Sequence, residues 1–227
     1  MATERKKNAL SNSKLSLSAP CPTAKGSYSQ LRVDIYNNNP RIVVRTNDPA
    51  DRSKSFGQIT AALDGGVFFA FLQILKNAIE APGEFKEKVE CHNHVWKDNQ
   101  RSKDITHVTD LLVGKDREGV VWISVVAKDD DRPVIKFPFS VNDNRYHRFV
   151  HGDGTPYTKA ELSVLTATGF YHLMTQLIPH LMVTEYVAPQ PPAGGNNRGN
   201  YQNAGNSNAG PGRASKPADD YDADINF

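Results

Sequence analysis

Apolar and polar positions alternate in two registers along this chain, and each change of register marks an element. In "QLRVDIYNNNPRIVVRTND", apolar and polar residues alternate on either side of an Asn-Asn-Asn-Pro turn, which predicts a β-hairpin. Arg32 and Tyr36 share one face of its first segment, and Arg41 and Arg45 share a face of the second, while Ile42 and Val44 point the other way, toward a core. The period then lengthens. Across "DGGVFFAFLQILKNAIEAPG", Phe68, Phe71, Leu72, Leu75 and Ile79 recur at helical spacing, and Pro82-Gly83 ends the helix. Four strand-like segments follow, "FKEKVECHNHVW", "ITHVTDLLVG", "GVVWISVVAK" and "PVIKFPFSV", joined by the charged connectors "KDNQRSKD", "KDREG" and "KDDDR". Short charged connectors predict an antiparallel meander. The last periodic segment, "TKAELSVLTATGFYHLMTQLIPHL", opens with a capping box from Thr158 to Glu161, and Leu162, Leu165, Gly169, Leu173 and Leu177 form a candidate packing stripe.

The order ββα-ββββ-α predicts an α+β body in which a curved antiparallel sheet is braced by two helices. The alternative is an OB-fold barrel with an added C-terminal helix, which the long final helix and the early hairpin fit poorly. No internal repeat is evident. The 227 residues suffice for one good core. A hydrophobic content of 38% and a mean hydropathy of -0.54 indicate that part of the chain lies outside it. Residues 1–25 read as a flexible basic arm with a later part, "LSLSAPCPTAKG", able to dock, and 26–188 as the body. Residues 189–218, rich in Gly, Asn and Pro, read as a disordered linker, and 219–227 as an acidic tip. No apolar run approaches the roughly 20 residues of a membrane span, and the charged start "MATERKKNAL" lacks the apolar stretch of a secretion signal. Two cysteines, Cys21 and Cys91, do not make a disulfide framework, so a reducing cytoplasm is the expected setting.

The formal net charge of +2 conceals a sorted distribution. Residues 1–57 carry ten Lys/Arg against four Asp/Glu, residues 58–218 carry seventeen of each, and the last nine carry four aspartates and no base. A chain that is basic at one end and acidic at the other suits a polyanion-binding protein that carries its own tethered anion.

The strand-like faces supply candidate contacts. In "FKEKVECHNHVW", Phe85, Val89, Cys91 and Val95 fall on one face, and Lys86, Lys88, His92, His94 and Trp96 on the other. Cations interleaved with flat rings suit single-stranded nucleic acid: the cations follow phosphates, and bases stack on rings for roughly 1–3 kcal/mol each. The competing reading is a solvated outer face. Arg32, Tyr36, Arg41 and Arg45 repeat the pattern, and "NDNRYHRF" adds Arg145, Tyr146 and Arg148, in a loop that could equally be a structural corner. Trp122, inside "VVWISVV", reads as core.

Enzymatic readings find little support. The string "HNH" at His92–His94 is three adjacent letters, and Cys91 points away from His92 and His94. That leaves too few ligands for a zinc site unless folding brings His107 or His147 near. "KDDDR" reads as a solvated turn, "HGDG" at His151–Gly154 as another, and no Walker loop, nucleophile elbow or dinucleotide fingerprint occurs. The expectation is no enzyme, no cofactor and no bound metal.

The ending "GGNNRGNYQNAGNSNAG…DDYDADINF" resembles the C-terminus of bacterial and bacteriophage single-stranded-DNA-binding proteins, in which a Gly/Asn-rich linker leads to aspartates and a terminal hydrophobic-x-Phe. The resemblance covers about forty residues, most specifically the last nine. It implies that Asp219, Asp220, Asp222, Asp224, Ile225 and Phe227 recruit replication, recombination or repair proteins. A narrower resemblance is to the divergent single-stranded-DNA-binding proteins of phages related to N4, some of which bring an RNA polymerase to opened promoters. It implies a bacterial host cytoplasm and a transcription role beside replication. The expected partners are therefore single-stranded DNA, proteins that read the tip, and no membrane, with homo-oligomerisation left open. An RNA-binding protein and a metal-dependent nuclease are the alternatives.

Overall fold

The structure, a computed structural model, describes residues 8–49, 51, 57–97, 100–128, 132–140 and 147–188, with the side chains of Trp96 and Lys97 outside that set. Met1–Tyr186 is one compact unit. Of a second unit, Val187–Phe227, residues 187 and 188 are described, so the expected linker and acidic tip lie outside the described residues.

The first sheet contains β1 (Leu17–Pro20), β2 (Tyr28–Tyr36), β3 (Asn39–Arg45) and β4 (Gln58–Ala62), antiparallel and in that spatial order. Helix α1 (Gly65–Glu80) follows. The second sheet contains β5 (Phe85–Lys97), β6 (Gln100–Lys115), β7 (Val121–Ala127) and the two-residue β8 (Phe137–Pro138), again antiparallel and in sequence order. Helix α2 (Lys159–Thr184) ends the unit. The class is α+β with two helices, as the residue pattern predicts, and there is no closed barrel among the described residues. Four strands and a helix occur twice in succession, an order that no residue repeat displays. Among the described residues no helix is long and apolar enough to cross a membrane.

One cluster of buried side chains joins both sheets and both helices. Leu31, Val33, Ile42 and Val44 come from the first sheet, Leu111, Val113, Ile123 and Val125 from the second, Phe68, Phe71, Leu72 and Leu75 from α1, and Met174 and Ile178 from α2. Helix α1 starts where the Asp64 side chain accepts from Val67 N, satisfying a free helix-end donor. The capping box of α2 forms as expected, with the Thr158 hydroxyl accepting from Glu161 N and the Glu161 carboxylate accepting from Thr158 N.

Several details differ from the residue pattern. One braced sheet becomes two, because β1 and β4 add to the hairpin. The first residues are not wholly an arm: Ala9–Ser11 and Ser13–Leu15 form 3-10 turns and Leu17–Pro20 forms β1, anchored by buried Leu10 and by Asn8 Nδ2 donating to Glu185 Oε2 at 2.7 Å. The hairpin turn sits on Asn37 and Asn38, with φ of 46° and 64°, so Asn39 and Pro40 already belong to β3. The packing face of α2 is Ser163, Ala167, Met174, Ile178 and Leu181, whereas Leu165 and Leu173 of the predicted stripe are 49% and 38% exposed. The small Ser163 brings the helix close enough for its hydroxyl to accept from Val121 N at 2.9 Å. Leucine at that point would separate helix from strand.

Trp122 is buried, as expected, but by an unexpected route. It lies across Gly114 on the outer face of the second sheet, with the Lys136 ammonium 4.7 Å from its ring centre. A Cβ on Gly114 would overlap the indole and approach Phe85 O to 2.9 Å. Gly114→Ala is therefore expected to lower stability by roughly 1–3 kcal/mol. Gly169→Ala, on an α2 surface with nothing within 4 Å of the new Cβ, should raise it by about 0.5–1 kcal/mol. Urea denaturation of the two variants beside the parent checks both signs.

Candidate functional site

The outer face of the first sheet gathers the hairpin residues. On β2 the residues of even number, Tyr28, Gln30, Arg32, Asp34 and Tyr36, oppose the buried Leu31 and Val33, and on β3 Arg41 and Arg45 oppose the buried Ile42 and Val44. Asp34 pairs with Arg41, Gln30 with Arg45, and Arg32 with Val43 lies between them. All three arginines thus sit on one face, one in each of three successive cross-strand pairs of that face. Arg41 donates from Nε and Nη2 to Asp34 Oδ2 at 3.2 and 3.0 Å, and its guanidinium lies 4.6 Å from the Tyr36 ring centre.

Arg32 is the unusual member. Its Nε is buried and has no hydrogen-bond acceptor. Burial lowers its pKa, and the charges of Arg45 and Arg41 lower it further. Its guanidinium therefore stands in an excess of positive potential, which favours an incoming anion at the arginine cluster. Arg45 is exposed. Tyr36 is 38% exposed and Tyr28, which the residue pattern did not single out, 61% exposed. β2 thus carries open aromatic rings at both ends, about 27 Å apart by the strand rise.

The residues predicted on "FKEKVECHNHVW" occupy the other sheet and have a different electrostatic character. Lys86 and Lys88 are exposed, but Glu90 falls on their face and accepts from Lys88 Nζ at 2.5 Å. This hydrogen bond raises the pKa of Lys88 and lowers that of Glu90. Asp110, across from Glu90 on β6, accepts from Lys128 Nζ at 2.8 Å and bonds His107 Nε2 at 2.7 Å. Burial works to raise the Asp110 pKa, yet Lys128 and His107 together hold it below the usual carboxylate range. Lys88 and Lys128 each have a carboxylate here, with Lys86 beside them, whereas on the arginine face Asp34 is engaged by Arg41.

Beyond Cys91 the strands β5 and β6 continue as a two-stranded ribbon past the end of β7. Val108 is skipped in the pairing, so Cys91 faces Thr109 but His92 faces His107. His94 is half-buried and its Nδ1 lies 2.8 Å from Ser102 O. The Trp96 side chain lies outside the described residues, as do Arg145 and Tyr146. Arg148 is exposed at the start of a small hairpin in which Val150 bridges Pro156 and Gly154 N donates to His151 O, confirming the turn expected at "HGDG". That hairpin stacks His151 on Tyr157, with ring centres 4.0 Å apart, and sets Phe149 edge-on to Tyr157 at 6.5 Å. Residue pattern alone assigned Tyr157 no role. The aspartates 219, 220, 222 and 224, with Ile225 and Phe227, lie outside the described residues.

Compared with known proteins, the chain matches no family model, no curated protein and no solved structure.

The Asp34–Arg41 pair is largely shielded, with side chains 12% and 13% exposed. Asp34→Asn leaves the guanidinium without its carboxylate, at an expected cost of about 1.5–3 kcal/mol, the range for hydrogen bonds to charged groups. Chemical denaturation of the variant at neutral pH measures it.

Proposed function

We propose that this chain is a non-enzymatic, sequence-tolerant single-stranded-DNA-binding protein whose arginine face receives the phosphate backbone. The observation that carries the reading is Arg32: a guanidinium with a buried, unbonded Nε, set between Arg41 and Arg45. One carboxylate, Asp34, shares that face with them and is engaged by Arg41. Tyr28 and Tyr36 offer exposed rings at the two ends of the same strand, and rings beside cations are what unpaired bases use. Contacts to phosphates carry no sequence information, which favours tolerance of sequence over readout.

The resemblance of the C-terminal residues adds the second half of the proposal. Asp219, Asp220, Asp222, Asp224, Ile225 and Phe227 bind proteins of replication, recombination or transcription, an RNA polymerase among them, and compete weakly for the arginine face when DNA is absent. The charge sorting along the chain supports this division.

Fluorescence anisotropy of labelled single-stranded DNA, duplex and RNA at several salt concentrations tests the reading. Single-stranded DNA should bind most tightly, with affinity falling as salt rises. Each phosphate that the protein no longer neutralises should make the log–log salt slope shallower by about 0.7, so Arg32→Ala with Arg45→Ala should reduce it by roughly 1.4. Tyr36→Ala should weaken binding by roughly 1–3 kcal/mol. Equal binding of duplex, or an unchanged salt slope in the double variant, would remove the proposal, and a preference for RNA would replace it with RNA binding.

Removing residues 219–227 should tighten DNA binding at low salt, while the same truncation should lose capture of a polymerase or replication protein in a pull-down.

A further inference from the structure

We propose that the base of the β5–β6 ribbon is a binding site for a zinc-class transition-metal dication, held by His92, His107 and Glu90. The site is independent of the arginine face and of the DNA-binding reading.

The ribbon's irregular pairing creates the site. The extra residue Val108 sets His92 directly across from His107 and lays the two imidazoles in a stack, ring centres 4.8 Å apart and planes 22° apart. Glu90, two residues before His92 on the same strand face, brings a carboxylate to them. The ligand atoms of all three lie within 4.8 Å of one another. Ligand atoms on one tetrahedral zinc ion stand about 3.3 Å apart, given bonds of roughly 2.0–2.1 Å. Turning exposed side chains covers that difference without moving the backbone. Glu90 and His92 are exposed and His107 half-buried, so an ion has an open approach and keeps a position for water.

The residue behind His107 fits the same chemistry. His107 Nε2 lies 2.7 Å from Asp110 Oδ1. When Nε2–H donates to that carboxylate, Nδ1 keeps its lone pair for an ion, the carboxylate–histidine arrangement that orients metal-bound imidazoles. Asp110 is itself fixed by Lys128 at 2.8 Å. Two imidazoles and one carboxylate select a borderline dication such as Zn²⁺ over Mg²⁺ or Ca²⁺, which take oxygen ligands. Lys88 is the local competitor, since its ammonium occupies Glu90 at 2.5 Å. It is 48% exposed and can swing into water as the ion enters.

Zinc chloride is titrated into the full chain against a chromophoric chelator. One equivalent should bind in the parent, with Zn²⁺ favoured over Mg²⁺. His92→Ala and His107→Ala should each weaken it about 100-fold, and Asp110→Asn about 10-fold, the effect of losing an orienting carboxylate. Lys88→Ala should tighten it, and His151→Ala and His180→Ala should leave it unchanged. Hydrogen exchange of the parent with and without zinc needs no variant to fold. Residues 91–107 should gain protection, because the ion clips two strands together. No saturable equivalent, binding that survives His92→Ala in a folded variant, or an unchanged ribbon in hydrogen exchange would each overturn the proposal.

Discussion

Phe68, Phe71, Leu72 and Leu75 of α1 are essentially without solvent contact, and they share one cluster with the inner residues of both sheets. Everything outward follows from that burial. A strand turns alternate side chains to opposite faces, so once Leu31, Val33, Ile42 and Val44 are committed to α1, Arg32, Asp34, Arg41 and Arg45 must face out. A slip of one residue in either strand would drive guanidinium groups into the space now filled by aliphatic chains, at a cost no ion pair could offset. The two-residue turn at Asn37 and Asn38 fixes the register that the core then enforces. The arginine face is thus held by packing on its far side, which leaves its own side chains available to serve something other than stability.

Stability accounts for Arg41, through Asp34, but not for Arg32 and Arg45 beside it. Arg32 is partly buried beside two like charges, and its Nε has no acceptor. Gln58 and Thr60, their neighbours on β4, show that neutral polar residues suit the same surface. The second sheet pairs its cations differently: Lys88 and Lys128 are matched by Glu90 and Asp110, each within 2.8 Å, and Lys86 stands beside them. Two sheets with the same order of elements thus differ in how their surface cations are paired, lysine with carboxylate on the second and arginine beside arginine on the first.

How much was legible in the sequence follows the strength of each local signal. The hairpin, α1, β5 and α2 were readable because their apolar residues keep one period, and because Pro82-Gly83 and the Thr158–Glu161 box mark a helix end and a helix start. β1 and β4 were not readable. "LSAP" and "QITAA" are short, rich in small residues with weak strand preference, and become strands through pairing with β2 and β3. Pro20, lacking an N–H, is tolerated because β1 is an edge. The outward arginines were legible by parity, but their convergence depended on register. Glu90 was overlooked among the cations of its own strand face, although the same parity places it there and it neutralises Lys88. The stripe on α2 failed because period alone cannot tell which apolar side of a helix meets the sheet. Ser163 and Ala167 decided it by allowing close approach.

The meeting of His92 with His107 lies at the far end of this scale. Fifteen residues separate them, and regular pairing continued from Cys91 and Thr109 would set His92 against Val108. A single skipped residue exchanges an aliphatic partner for an imidazole. Bulges are specified by local backbone preferences too weak to be seen in one sequence, yet they re-aim side chains as decisively as a turn does. The bulge also explains why the two charged surfaces can serve different ligands. The arginine face offers three guanidinium groups beside exposed rings, a diffuse charge distribution that salt screens. The ribbon offers two imidazoles beside a carboxylate, short-range donors suited to the coordination proposed above, which salt screens far less. One fold thus sets its arginine face on the sheet whose register is regular, and its imidazole pair on the sheet whose register is broken.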